Sequence, residues 1–134
     1  MIEITDINHV SIVVKDVQAS KIFYCDILGM EEVPRPATFT FDGAWFRKGD
    51  AEIHLIQIND ASQPPGDTPA QPNEHADIAR ARHIGFAVKD MDETVRVLNE
   101  YNIPIVEGPR PRGDGIIQTY CFDPDDHLVE LHTL

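Results

Sequence analysis

The sequence predicts an α+β fold built as two copies of one βαβββ unit. Three observations carry this. The chain nearly repeats itself: HVSIVVKDV at 9–17 aligns with HIGFAVKDM at 83–91, an offset of 74, and AEIHLIQ at 51–57 aligns with HLVELHT at 127–133, an offset of 76. Each copy opens with apolar residues at period two and passes into apolar residues at helical spacing, a strand followed by a helix. Between the copies, 59–82 is rich in proline and polar residues, as a connection between repeats is. The 134 residues are thus read as a single domain, with module 1 over 4–58, a linker over 59–82 and module 2 over 83–134.

In module 1, Val10, Ile12 and Val14 alternate with His9, Ser11 and Val13, which predicts a strand over 9–14. Asp16 suits a helix N-cap, Val17, Phe23, Ile27 and Leu28 form the stripe of a helix over 17–28, and Gly29 ends it. TFTF and AWFRK flank Asp42-Gly43, which predicts a two-residue hairpin. KGD then turns the chain into a fourth strand over 51–58. Module 2 repeats the order. A strand over 83–88 leads to Asp90 and Glu93 as a capping pair. Met91, Val95 and Leu98 mark the helix, and Pro104 stops it. Strands follow near 104–107, 116–122 and 127–133, the last two joined by the turn DPDD. One helical turn is expected near 74–80.

Composition excludes several classes. An apolar content of 42% with 25% charged residues is that of a globular chain, and no run of 18 apolar residues occurs to cross a membrane. A net charge of −12 argues against nucleic acid or an anionic membrane as partner. MIEITDINH has neither the basic patch nor the apolar stretch of a signal peptide, so a cytoplasmic location is expected, with Cys25 and Cys121 as reduced thiols.

The polar residues select a face. Alternation places His9 and Ser11, His54, His83 and Gly85, and Glu130 opposite the apolar faces of their strands. If the first and last strand of each unit are neighbours, each half offers two ligands side by side. Three imidazoles and one carboxylate suit one divalent ion such as Zn, Ni, Mn or Fe(II).

NHVSIVVKD, FYCDILGMEEV, AEIHLIQ, RHIGFAVKD and FDPDDHLVEL resemble the vicinal oxygen chelate superfamily, which includes glyoxalase I, methylmalonyl-CoA epimerase, type I extradiol dioxygenases and the fosfomycin and bleomycin resistance proteins. The resemblance implies paired modules whose curved mixed sheets surround a metal cavity. It implies His9, His54, His83 and Glu130 as ligands, and a homodimer acting on a small molecule. It further implies a glyoxalase-I-like isomerase or lyase that stabilises an enolate, with Glu130 as the ligand that doubles as base. Glu52, on the face of His54, is either a solvated strand-end charge or a second base. The alternative is an Fe(II) extradiol-type dioxygenase with His54 as acid–base group, for which Tyr120, Asp123 and Pro124 before Glu130 match the family pattern while PRG at 111–113 does not. A non-catalytic binder of the resistance-protein kind is the third reading.

Tyr120 and Arg112 are the candidate substrate contacts, and Arg110 shares the role of gripping a carboxylate or phosphate. His75, His127 and His132 are read as surface residues. The faces taken by Phe39, Phe41, Trp45 and Phe46 stay open, since one residue of register flips a side chain.

Overall fold

The computed structural model describes residues 1–59 and 81–134. The chain falls into two compact units, Met1–Gly66 and Asp67–Leu134. The expected linker, its helical turn near 74–80 and His75 lie almost wholly outside the described residues.

The first unit runs β1 (Val10–Val14), α1 (Val17–Lys21), a π-helical continuation (Ile22–Ile27), β2 (Glu31–Val33), β3 (Gly43–Lys48) and β4 (Ala51–Gln57). The second runs β5 (Ile84–Ala87), α2 (Met91–Glu100), β6 (Ile105–Pro111), β7 (Ile117–Phe122) and β8 (Leu128–His132). Each makes a four-stranded mixed sheet, in the orders β1-β4-β3-β2 and β5-β8-β7-β6. The predicted α+β class and both βαβββ orders are observed. The first and last strands of each unit are parallel neighbours, with Ser11 opposite His54 and Gly85 opposite Glu130. No helix among the described residues is long and apolar enough to cross a membrane.

Local chemistry sets the helix ends. The Asp16 carboxylate accepts from the Gln18 N–H at 2.8 Å, and Gly29, at φ +69°, closes the other end in a left-handed conformation that suits glycine. Asp90 accepts from the Glu93 N–H at 3.0 Å. The reciprocal half of that capping box is not made, because the Glu93 carboxylate pairs with Arg96 at 2.8 Å instead. The helix expected over 17–28 is thus α-helical for one stretch and π-helical for the next, and Gly29 N–H and Met30 N–H return to the carbonyls of Cys25 and Tyr24 at 3.0 and 2.9 Å.

The predicted Asp42-Gly43 hairpin does not form. TFTF is irregular, and β3 pairs with the short β2 across a longer connection. Arg35 holds this connection from within, donating to the carbonyls of Phe41 at 2.7 Å and Gly43 at 3.0 Å. Gly43 belongs to β3 and sits opposite Ile56. A Cβ there would lie 2.2 Å from the Leu55 carbonyl oxygen, so close packing rather than turn geometry requires this glycine. The strand expected near 104–107 extends to Pro111, with register shifts against β7.

Packing separates two faces on each sheet. Phe46, Ile53, Leu55, Ala44 and Val14 are buried with Phe23 and Tyr24, the Tyr24 and Phe46 rings stacking at 6.1 Å. In the second unit Val129, Leu131, Cys121 and Leu98 are buried. Cys25 and Cys121 are free thiols, as expected. Burial pushes the Cys121 thiol up to about 12. The unfolded thiol ionises near 9, so the folded state keeps its full advantage below that pH and loses it as pH rises toward 12. Stability is therefore expected to fall by up to about 1.4 kcal/mol per pH unit in this window. Urea midpoints at pH 8.5 and 11 check it, and Cys121→Val should reduce the difference, the remainder including Cys25, whose thiol burial also raises.

Candidate metal centre

β5 and β8 bring His83 and Glu130 together. The Gly85–Glu130 pairing puts the carboxylate beside the strand that His83 precedes, with a Cβ at Gly85 falling in ordinary contact with Glu130 Oε2 at 3.7 Å. His83 Nδ1 faces the Ala81 carbonyl at 2.8 Å and so must carry its hydrogen. The other nitrogen, Nε2, lies 2.9 Å from Glu130 Oε2. There it either donates a second N–H to the carboxylate as an ion pair or presents a lone pair that a cation shared with Oε2 would bridge. Two donors about 2.1 Å from one ion and at right angles stand about 3 Å apart, so the spacing fits a common metal. A ligating histidine whose second nitrogen donates to a carbonyl is also the arrangement that orients ligands in metal sites. Glu130 is 7% exposed. Arg112 Nη1 approaches its Oε1 to 3.9 Å.

Tyr120, paired with Glu130 across β7 and β8, is 2% exposed and meets the His83 ring edge-on at 5.7 Å. It packs with Leu128, Ala81 and Phe122. Arg112 pairs with Asp114 at 2.7 Å, which holds its guanidinium charge, and remains partly exposed beside Glu130. His132 donates from Nδ1 to the Thr133 carbonyl at 2.8 Å and is half-buried rather than a solvated surface residue. Asp123 accepts from the backbone N–H groups of Asp125 and His127, both at 2.9 Å, which builds the predicted DPDD turn and fixes where β8 begins.

In the first unit His9 and His54 stack instead of chelating. Their ring centroids are 4.0 Å apart with planes 15° from parallel. The Trp45 indole covers the opposite face of His54 at 3.8 Å, parallel within 1°. Imidazole lone pairs lie in the ring planes, so one ion meets both rings only if one of them turns out of the stack. His54 Nε2 donates to Glu52 Oε1 at 2.6 Å, which satisfies this polar ring within an apolar strand. Glu52 is no solvated strand-end charge: its side chain is 9% exposed and also pairs with Arg47 at 2.6 Å. The His54 hydrogen bond, then Arg47, hold its carboxyl below the usual glutamate range, which makes it a weak base. Among the described residues no group of three or more His, Cys, Asp or Glu stands assembled for a metal, and each unit by itself supplies a pair.

Sequence reasoning left Trp45 without a face and did not single out Gln118. Trp45 lacked a face because the misplaced hairpin left β3 without a register. Gln118 lies two residues before Tyr120, and that spacing alone would have put it on the polar face.

Residues 6–131 match the family model described as Glyoxalase/Bleomycin resistance protein/Dioxygenase superfamily. The chain is 28% identical over 131 residues to "Glyoxylase I 4" of Arabidopsis thaliana, covering 97% of this chain and 71% of that protein. It is 29% identical over 141 residues to "Metallothiol transferase FosB" of Staphylococcus saprophyticus, covering 97% of this chain and 78% of that one. The crystal structure of a glyoxalase/dioxygenase from Nostoc punctiforme superposes with a TM-score of 0.73 at 29% identity, over 96% of this chain and 90% of that chain.

Proposed function

Because the chain belongs to the glyoxalase/bleomycin resistance protein/dioxygenase superfamily, we propose that it is a divalent-metal-dependent, glyoxalase-I-like isomerase or lyase acting on a small oxygenated metabolite. The observation that carries this reading is the His83–Glu130 pair, whose donor atoms stand at the spacing of two ligands on one ion. His9 and His54 are the further ligands of this reading, one ring leaving the stack to serve. When bound, a divalent ion supplies Lewis-acid stabilisation of charge developing on a substrate oxygen. Glu130, released from the ion, would take the proton from the hydroxyl-bearing carbon and return it to the neighbouring carbonyl carbon, while the hydroxyl proton would pass to the other oxygen. Its burial and the nearby Arg112 guanidinium hold the carboxylate in place for this. Arg112 attracts the substrate's own anionic group, and Tyr120 keeps the His83 ring oriented.

One observation favours a second reading. With His54 Nε2 committed to Glu52 and its faces covered, His9, His83 and Glu130 remain as a two-histidine, one-carboxylate set, which suits Fe(II) and an extradiol-type dioxygenase. Elemental analysis of the purified protein, followed by isomerisation of a methylglyoxal–thiol hemithioacetal against oxygen uptake with catechol, separates the two. Iron with oxygen uptake rejects the first reading. His54→Ala reports on the same question. It weakens ion binding if His54 is a ligand, and it spares binding while abolishing turnover if His54 moves protons.

Trp45 is the sole tryptophan, so its emission reports on its stacking partner. Addition of Zn²⁺ or Mn²⁺ to metal-free protein is expected to change that emission saturably, and His54→Ala should abolish the change. Emission indifferent to the ion would remove His54 from the ligand set.

A further inference from the structure

We propose that Gln118 is a positioning residue for Glu130, anchored in turn by Arg110; this rests on the reading of Glu130 as a metal ligand. Gln118 is a polar side chain at 3% exposure on the face of β7 that carries Tyr120. Register places it opposite His132, two residues along the strand from the Tyr120–Glu130 pair and so diagonal to the carboxylate. An amide there has one orientation that satisfies both neighbours. Its NH₂ donates to Glu130 Oε1 at 3.1 Å, and its oxygen accepts from Arg110 Nη2 at 3.3 Å. Arg110 offers only donors and Glu130 only acceptors, so the intervening amide cannot be reversed without two like-ended contacts.

The backbone is shaped for this contact. Between Glu107, opposite Tyr120, and Arg110, opposite Gln118, β6 spends one residue more than β7, a bulge. Gly108 sits in it at φ +88°, and a Cβ there would lie 2.6 Å from the Gln118 carbonyl oxygen. The bulge brings Glu107 and Arg110 onto the same face, where they pair with each other. EGPR thus keeps the guanidinium on the face of Glu107, from which a regular strand, alternating from Glu107, would have turned it away.

The consequence is a division of labour on one carboxylate. Gln118 holds Oε1, and Oε2 is left to face His83 Nε2. Glu130 has rotatable bonds of its own, so without the amide it samples other rotamers and the two ligand atoms lose their fixed spacing. Groups that orient ligands in this way are worth 10–100-fold in metal affinity.

The test is a double-mutant cycle on the full chain, read by titration with Mn²⁺. Gln118→Met, close to isosteric, removes donor and acceptor together and is expected to weaken Mn²⁺ binding by about 10–100-fold. In the Glu130→Gln background the same change is expected to cost nothing further, whereas a merely structural loss would cost the same in both. Arg110→Met, which leaves Gln118 in place but unanchored, is expected to weaken binding by a smaller factor, and it serves as the second variant should Gln118→Met fold poorly. Equal Mn²⁺ affinity of wild type and these variants, or equal losses in both Glu130 backgrounds, overturns the proposal. Wild-type Mn²⁺ affinity unmoved by Glu130→Gln itself overturns the underlying ligand assignment, and the two failures are distinct.

Discussion

Replacing Glu130 by glutamine should lower the affinity for a divalent ion by more than about 100-fold, beyond the loss typical of a group that only orients a ligand. The substitution keeps the volume of a side chain that is 7% exposed and removes the charge that Nε2 of His83 faces at 2.9 Å. Linkage gives a readout that needs no substrate. At an ion concentration 100 times the wild-type dissociation constant, binding adds about 2.7 kcal/mol to the stability of the folded state. The wild type should gain that increment in a urea titration with Mn²⁺ and the variant almost none, while the two metal-free proteins differ much less. His83→Ala should behave like Glu130→Gln. A variant that gains the full increment would take Glu130 out of the ligand set and leave Arg112 and Tyr120 surrounding a structural acid.

Gly43→Ala should destabilise the first unit by about 3 kcal/mol or more, at the upper end of what overpacking costs. The added carbon would stand 2.2 Å from the Leu55 carbonyl oxygen, which is backbone and cannot swing aside. Relief requires β3 and β4 to separate at the Gly43–Ile56 pair. The next inward pair on that face is Trp45 opposite His54, so the stack that holds the imidazole should loosen with it. Gly49→Ala is the control. Its Cβ meets nothing within 4 Å, and only its φ of +57° is unfavourable, which costs about 1–2 kcal/mol. Urea midpoints rank the two. Equal losses would mean that backbone conformation, not strand contact, governs Gly43, and unchanged Trp45 emission in Gly43→Ala would uncouple the strand from the stack.

Much of the candidate site was legible because its signals are local. His9, His54, His83 and Glu130 were placed on polar faces by simple alternation, and repetition made four such placements one pattern. The observed Ser11–His54 and Gly85–Glu130 pairings agree with that alternation. The caps at Asp16 and Asp90 and the stop at Gly29 were equally local and are observed. The Asp42-Gly43 hairpin failed because a favourable dipeptide was weighed without its surroundings: Arg35 claims the carbonyls on either side, and the Leu55 backbone demands a glycine within the strand. The causes that overrode turn propensity lie 8 and 12 residues from Gly43 in sequence, outside the dipeptide that was weighed.

By itself the sequence determined the two βαβββ units, the ends of their helices and the face of each strand that carries imidazole and carboxylate, since these follow from periods of 2 and 3.6 within a few residues. The tertiary structure alone decided what those groups touch. It laid His54 between Trp45 and His9, gave its Nε2 to Glu52, and bent β6 so that Arg110 reaches Gln118 and Gln118 reaches Glu130. The physical reason is register. Ladder pairing and bulges are set by hydrogen bonds between distant segments, and a shift of one residue exchanges the two faces of a strand.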